Sequence, residues 1–161
     1  MTVRELNPDV PLPHEPSTDV RVFLAGTIDL GASVDWQRSF VRHIDAGTDA
    51  AVTVLNPRRD TRFGTPTLDN PEFVKQVTWE MDALELADIV VVCLLGTSKS
   101  PVSLMELGLH ARSGKLVVFC ADDFYRFGNV AAVCARYNVT QVATYEELLS
   151  EVLRRVSAHS F

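Results

Sequence analysis

Acidic residues that could do chemistry lie in two short segments of the chain. Glu106 stands among apolar neighbours in Ser103-Leu104-Met105-Glu106-Leu107-Gly108, and Glu80 and Asp82 lie in Trp79-Glu80-Met81-Asp82. A positioned carboxylate can attack the anomeric carbon of a sugar and form a covalent glycosyl-enzyme, while a second acidic group manages the proton on the leaving group. Glu106 is therefore the first candidate for a nucleophile, and Glu80 and Asp82 are further catalytic candidates.

Each of these carboxyl groups also has a plain structural interpretation. Ser103-x-x-Glu106 is the pattern of a capping box, in which the glutamate merely holds a helix terminus. Glu80 and Asp82 fit the solvated face of a helix that precedes a strand. Spacing alone leaves both alternatives open.

Candidate substrate ligands cluster where predicted strands end, because ligands bind beyond the carboxyl ends of parallel strands. A glycine there lets the backbone approach a ligand, although a simple turn explains it equally well. Arg58 and Arg59 could contact a phosphate, a hydroxyl group or a base edge, or could balance the acidic chain. Trp79 could stack on a base or pack in the core. The residues assigned to substrate binding on these grounds are Gly26, Thr27, Asn56, Arg58, Arg59, Trp79, Ser100 and Ser103.

The chain lacks the sequence signatures of cofactor and metal sites. No GxGxxG follows the first long apolar strand, no GxxxxGK[ST] and no GxSxG are present, and the four histidines match no metal-binding spacing. We therefore expect neither a cofactor nor a metal.

Composition indicates one ordinary globular domain. The chain has 161 residues, of which 47% are hydrophobic and 22% charged. A net charge of −6 argues against binding to nucleic acid or an anionic membrane, which needs clustered lysine and arginine. Three dispersed cysteines and the absence of a signal pattern predict reduced thiols in a cytoplasmic protein. The expected partner is a small molecule.

The order of elements predicts the fold class. Residues 1–18 contain four prolines and predict an N-terminal arm, followed by a single domain over residues 19–161. Strands are expected over residues 20–26, 51–55, 89–95, 116–120 and 139–142, and helices over 34–46, 71–87, 100–114, 129–137 and 145–156. Such alternation predicts an α/β fold of three layers, with a five-stranded, mainly parallel sheet and helices on both faces.

Two of the predicted helices have an apolar face, and a third has a capping residue. Ser100 before Pro101 suits the N-cap of the helix that contains Glu106. The residues expected to face the core are Val34, Phe40, Val41 and Ile44 in the first helix, and Val74, Val77, Met81 and Leu84 in the second.

Taken in order, several segments resemble the nucleoside 2-deoxyribosyltransferase-like family, whose wider group includes nucleoside 5′-monophosphate N-glycosidases. The resemblance covers about residues 22–138. It is carried by Val22-Phe23-Leu24-Ala25-Gly26-Thr27-Ile28, Trp36, Leu55-Asn56-Pro57-Arg58-Arg59, Gln76-Val77-Thr78-Trp79-Glu80, Leu86-Ala87-Asp88-Ile89-Val90, Ser103-Leu104-Met105-Glu106-Leu107-Gly108 and Tyr125-Arg126-Phe127-Gly128-Asn129-Val130.

This resemblance implies a flavodoxin-like sheet and a ping-pong mechanism in which Glu106 attacks the anomeric carbon. It points to Glu80 as the acid that handles the base, with Asp82 as the nearby alternative. It also implies that Asn129 reaches the sugar in a neighbouring subunit, so that a homo-oligomer shares its active sites.

Two positions depart from the family pattern. Ser100 stands where the transferases typically carry aspartate, and Phe23 stands where many relatives carry tyrosine. Related nucleotide hydrolases can carry serine at the former position, where it serves a phosphate. The leading hypothesis is deoxyribosyl transfer between bases, and the alternative is N-glycosidic hydrolysis of a nucleoside or its 5′-monophosphate. A nucleotide-binding module without turnover is the remaining alternative.

Overall fold

A computed structural model describes residues 3–13, 15, 17–28, 34–59 and 64–159 of the chain. The strands within these residues are β1 (Val3–Leu6), β2 (Val20–Gly26), β3 (Val52–Leu55), β4 (Ile89–Leu94), β5 (Leu116–Cys120) and β6 (Thr140–Val142). The helices are α1 (Trp36–Gly47), α2 (Pro71–Leu86), α3 (Pro101–His110), α4 (Phe127–Tyr137) and α5 (Tyr145–His159).

The six strands form one parallel sheet in the order β1-β3-β2-β4-β5-β6. Without β1, this is the strand order of a flavodoxin-like sheet. The expected number of five strands is wrong, because residues 3–6, which we expected to belong to the N-terminal arm, pair with β3 along the sheet edge. The α/β class with a parallel sheet is confirmed.

The segment that follows β1 stays against the domain. Pro8 is buried, and the carbonyl oxygen of Val10 accepts a hydrogen bond of 3.0 Å from the indole Nε1 of Trp79. Leu12 packs against the hydrophobic cluster that contains this tryptophan. Residues 3–12 thus contribute an edge strand, β1, and further packing contacts to the domain.

The sheet separates two hydrophobic layers. Side chains such as Phe23 and Val118 pack on one face with helices α2, α3 and α4. Leu24 and Val91 pack on the opposite face with α1 and α5. Because both faces are covered, the central strands are apolar along their whole length, which confirms the three-layer arrangement.

Phe40, Ile44 and Leu84 are buried as expected, but two other side chains that were expected to face the core are exposed. Val34 precedes α1 and is 75% exposed, because Asp35 caps this helix. Met81 is 54% exposed, because α2 is rotated so that polar Gln76 turns inward. The buried residues of α2 are Gln76, Trp79, Ala83 and Leu84. None of the helices in the described ranges is long and apolar enough to cross a membrane.

Two backbone features shape the end of the sheet. Gly26 closes β2 with φ of 140°, and a Cβ atom there would lie 2.1 Å from the carbonyl oxygen of Cys93 in β4. Only glycine fits this approach. Ser100 holds the N-cap position of α3 as expected, but it is left-handed (φ 43°, ψ 51°) and its side chain caps no helix N–H. Its hydroxyl group bonds other side chains at this end of the sheet instead.

Candidate active site

Four buried hydroxyl groups connect the carboxyl ends of β2 and β4 with the start of α3. Thr27 Oγ1 lies 3.0 Å from Ser100 Oγ, which in turn lies 3.0 Å from Ser98 Oγ. The hydroxyl of Ser103 donates to the carbonyl oxygen of Gly26 at 3.0 Å. These bonds bring the hydroxyl groups of three predicted substrate ligands, Thr27, Ser100 and Ser103, to the predicted ligand Gly26, and they show that these hydroxyl groups already bond one another or the backbone.

Glu106 lies in the second turn of α3 and is only 7% exposed. Within the described part of the chain, no hydrogen bond or ion pair engages its carboxyl group. Burial raises the pKa of Glu106 to about 8, and the negative charge of Glu80 adds to the increase. At neutral pH this carboxyl group is therefore mostly protonated.

The capping-box interpretation of Glu106 is excluded by the start of α3. The helix begins at Pro101, so Ser103 is its third residue and not its N-cap. The hydroxyl of Ser103 bonds the end of β2 instead of a helix N–H. Glu106 is therefore not held by the terminus of its own helix.

Glu80 is the second acid near this point, and its surroundings differ from those of Glu106. Its Oε1 atom accepts a hydrogen bond of 2.6 Å from Nε2 of Gln76. Burial raises the pKa of Glu80, whereas the bond from Gln76 and the positive charge of Arg59 lower it. Asp82, two residues further along α2, is exposed. Of the two candidates on α2, only Glu80 is coupled to Glu106.

The loop after β3 holds its polar residues through bonds to other parts of the chain. The amide Nδ2 of Asn56 donates to Glu5 Oε1 at 2.7 Å, and its Oδ1 accepts from the backbone N–H of Arg58 at 3.1 Å. The guanidinium Nη1 of Arg58 donates to Gln37 Oε1 at 3.0 Å. Arg59 forms an ion pair with Asp9.

The two remaining predicted ligands are Trp79 and Asn129. Trp79 is 7% exposed and belongs to the hydrophobic core, which favours the packing role over a stacking surface. Asn129 is exposed in the first turn of α4. It lines a cleft of about 290 Å³ between α3 and α4, together with Leu104, Leu107 and Tyr125.

Two buried glutamines received no role from the sequence, although both help to form the site. Gln37 is fully buried, and its Nε2 donates to the carbonyl oxygen of Thr27 at 3.2 Å while its Oε1 accepts from Arg58. Gln76 contacts Glu80. The available signal was the spacing of Gln76 and Glu80, which are four residues apart and therefore share a helix face.

The arrangement offers one buried and one partly buried carboxyl group, and the second accepts a hydrogen bond from Gln76 and feels the positive charge of Arg59. In the ranges that the structure describes, no group of three or more His, Cys, Asp or Glu side chains could hold a metal ion. Paired carboxyl groups whose surroundings separate their pKa values can divide the roles of nucleophile and acid.

Comparisons with known proteins identify the family and the fold of the chain. A family model described as nucleoside 2-deoxyribosyltransferase like matches residues 19–124, which include both site carboxyl groups and end before Asn129. Among solved structures, the chain is similar to a conserved protein from Enterococcus faecalis V583, with a TM-score of 0.65 and 14% sequence identity over 85% of this chain and 99% of that one. At this identity the likeness shows the fold alone. No curated protein matches the sequence significantly.

Proposed function

Because the chain belongs to the nucleoside 2-deoxyribosyltransferase-like family, we propose that it cleaves the N-glycosidic bond of a deoxynucleoside and transfers the sugar to another base. Glu106 is the nucleophile in this proposal, and Glu80 is the acid and base that serves the nucleobase. Water in place of the second base would make the protein a hydrolase.

The observation that carries the proposal is the environment of Glu106. Its carboxyl group is buried beyond the carboxyl ends of parallel strands, and no described residue bonds it. Burial without a hydrogen-bond donor raises the free energy of an ionised carboxyl group. A structural role therefore does not explain why a glutamate occupies this position. A second carboxyl group, Glu80, is coupled to it, as a reaction with a leaving base requires.

The reaction proceeds in two half-reactions. An oxygen of ionised Glu106 bonds to C1′ of the deoxyribose while the bond from C1′ to the base nitrogen breaks, and Glu80 gives the leaving base its proton. In the second half-reaction, the nitrogen of an acceptor base bonds to C1′, its proton passes to Glu80, and Glu106 leaves as a carboxylate. Both side chains thus return to their starting protonation states.

The two arginines favour an uncharged nucleoside over a 5′-monophosphate. Arg58 donates to Gln37 and its Nε lies 3.9 Å from a carboxylate oxygen of Asp35. Arg59 is paired with Asp9. The positive charges of both arginines are thus already matched by groups of the protein, which leaves less positive charge to attract a phosphate.

We further propose that the protein is a homo-oligomer in which Asn129 of one copy reaches the site of another. Three apolar side chains of α3 are exposed at positions that share one helix face: Val102, Met105 and Leu109, at 50%, 59% and 70%. Burial of such a face in a subunit contact would stabilise an assembly. Light scattering should find a dimer or larger species that Met105→Lys disrupts; a monomeric wild type would refute this part of the proposal.

Incubation with deoxyinosine, with and without adenine, tests the reaction. New deoxyadenosine that appears only with adenine supports transfer, whereas hypoxanthine released without adenine identifies a hydrolase. Glu106→Gln should lower turnover by orders of magnitude, because it removes the nucleophile and keeps the shape. Glu85→Gln, at an exposed position of α2, is the matched control and should keep full activity.

A 2-fluoro-2-deoxyribosyl nucleoside should slow the second half-reaction and trap the intermediate. Mass spectrometry of the digested protein should then find the sugar on the peptide that contains Glu106. Saturable nucleotide binding that Glu106→Gln leaves unchanged, without turnover of any nucleoside or nucleotide, would identify a binding module and refute the proposal.

A further inference from the structure

Gln76 joins the loop after β3 to the acid of the site. Its Nε2 atom donates hydrogen bonds to the carbonyl oxygen of Pro57 at 3.0 Å and to Oε1 of Glu80 at 2.6 Å. The side chain is 4% exposed and lies one helical turn before Glu80 on α2. One amide group therefore connects Glu80 to the loop that follows β3.

The orientation of this amide group is determined by its two acceptors. Oε1 of Gln76 is buried and accepts no hydrogen bond from any residue that the structure describes, an arrangement that is unfavourable in a protein interior. A rotation of the amide by half a turn would bring Oε1 against the oxygens of Pro57 and Glu80. It would lose two hydrogen bonds and create two repulsive contacts. The amide nitrogen of Gln76 therefore points to Glu80, although no described residue bonds the carbonyl oxygen of the same amide group.

We propose that Gln76 is a positioning residue that aims Glu80 at the nucleobase. By occupying Oε1, the amide leaves Oε2 as the oxygen that gives the proton to the leaving base and takes one from the acceptor base. A hydrogen bond to the carboxylate also stabilises the form that Glu80 adopts after it has given up its proton. This inference rests on the function proposed above, in which Glu80 handles the base.

The substitution Gln76→Met removes the donor at nearly constant side-chain volume. The charged and titratable groups that act on Glu80 are Arg59 in the loop after β3 and Glu106 on α3, and both remain in place. The pKa of Glu80 should therefore rise, because a bond to the ionised form is lost. Gln76→Glu removes the donor and adds a like charge, so it should raise the pKa further.

Carbon-13 NMR of labelled glutamate carboxyl groups measures this pKa without any need for turnover. Glu80→Gln identifies the signal of Glu80 by its loss. We expect the pKa of Glu80 to increase in the order wild type, Gln76→Met, Gln76→Glu. Gln141→Met, in the edge strand β6, is the control and should leave this pKa unchanged. The same pKa of Glu80 in the wild type and both Gln76 variants overturns the proposal.

Kinetics provide a readout that a purely structural role would not change. In Gln76→Met, kcat should fall about ten- to a hundredfold while KM stays near the wild-type value, because the acid is misdirected and no substrate contact is lost. A higher KM with unchanged kcat would overturn the positioning role. If circular dichroism shows that Gln76→Met does not fold, Gln76→Asn, which keeps the amide but is one methylene too short, should give the same kinetic pattern.

The two experiments separate the inference from the proposed function. An inactive wild type refutes the proposed function, and the NMR titration then still decides whether Gln76 holds Glu80. An active wild type with unchanged kcat and unchanged Glu80 pKa in the Gln76 variants refutes the inference alone.

Discussion

The substitution Glu106→Gln keeps the shape of a buried side chain and removes its ability to ionise. In the folded protein, an ionised Glu106 loses its hydration and faces the charge of Glu80, without a described residue that bonds it. In the unfolded chain, an ionised Glu106 keeps its hydration. Ionisation of this residue should therefore destabilise the protein, and the glutamine variant should escape this effect.

The pKa of Glu106 sets the size of the effect. It rises from a usual value of 4.5 to about 8, mainly through burial. Between these values the folded protein keeps the proton that the unfolded chain has released, so the free energy of unfolding falls as the pH rises. The difference between 8 and 4.5, about 3.5 pH units at about 1.4 kcal/mol each, corresponds to about 5 kcal/mol. The stabilisation is complete below pH 4.5 and is lost by about pH 8.

Urea unfolding of the wild type and the variant across this pH range measures the effect. We expect the free energy of unfolding of the wild type to fall more steeply than that of Glu106→Gln, and the variant to be the more stable protein above about pH 8. Glu85→Gln, at an exposed site, should follow the wild type. Parallel curves for wild type and Glu106→Gln would mean that this carboxyl group ionises freely in water, which would contradict its burial and the proposed role of Glu106 as a buried nucleophile.

Three further predictions concern the pH profile, the sheet and the N-terminal segment. The proposed reaction needs one proton on the pair formed by Glu106 and Glu80, so kcat/KM should fall above the pKa of about 8 at which Glu106 releases its proton, and a profile that keeps rising would contradict this requirement. Gly26→Ala should destabilise the protein by about 3 kcal/mol or more, because its Cβ would meet the carbonyl oxygen of Cys93 at 2.1 Å. Gly108→Ala on α3, where a Cβ meets nothing within 4 Å, should be neutral or stabilising in the same denaturation assay. Trp79→Phe loses the bond to Val10, so it should cost about 1 kcal/mol and speed proteolysis of the N-terminal segment.

The strands that could be predicted are those that the fold buries on both sides. β4 and β5 are apolar at every position, so their sequence marks them almost to the residue. β1 could not be found in this way, since Val3-Arg4-Glu5-Leu6 is a short edge strand with two exposed charged side chains. The face of α2 was mispredicted because the polar side chain of Gln76 is buried in place of an apolar one.

The acids of the site could be selected from the sequence, but their environment could not. Thr27 and Ser100 are 73 residues apart, and Arg59 and Asp9 are 50 apart, so only the folded sheet brings them together. The pattern around Glu106 suited a helix cap as well as a nucleophile. The start of α3 at Pro101, which the Ser100-Pro101 pattern predicts, excludes the cap. The burial of Glu106 depends on packing between distant elements and could not be predicted from the pattern around this residue.

The opposite surroundings of the two acids place a requirement on the proposed reaction. Glu80 has a hydrogen-bond donor and a nearby guanidinium group, whereas no described residue bonds Glu106, so a single proton on the pair should favour Glu106. Attack on C1′ needs the reverse, with Glu106 ionised and Glu80 protonated. Moving the proton to Glu80 removes the charge that opposes ionisation of Glu106, so the two changes assist each other. A bound nucleoside favours that arrangement, because its base offers an acceptor to protonated Glu80 and its C1′ develops positive charge beside Glu106.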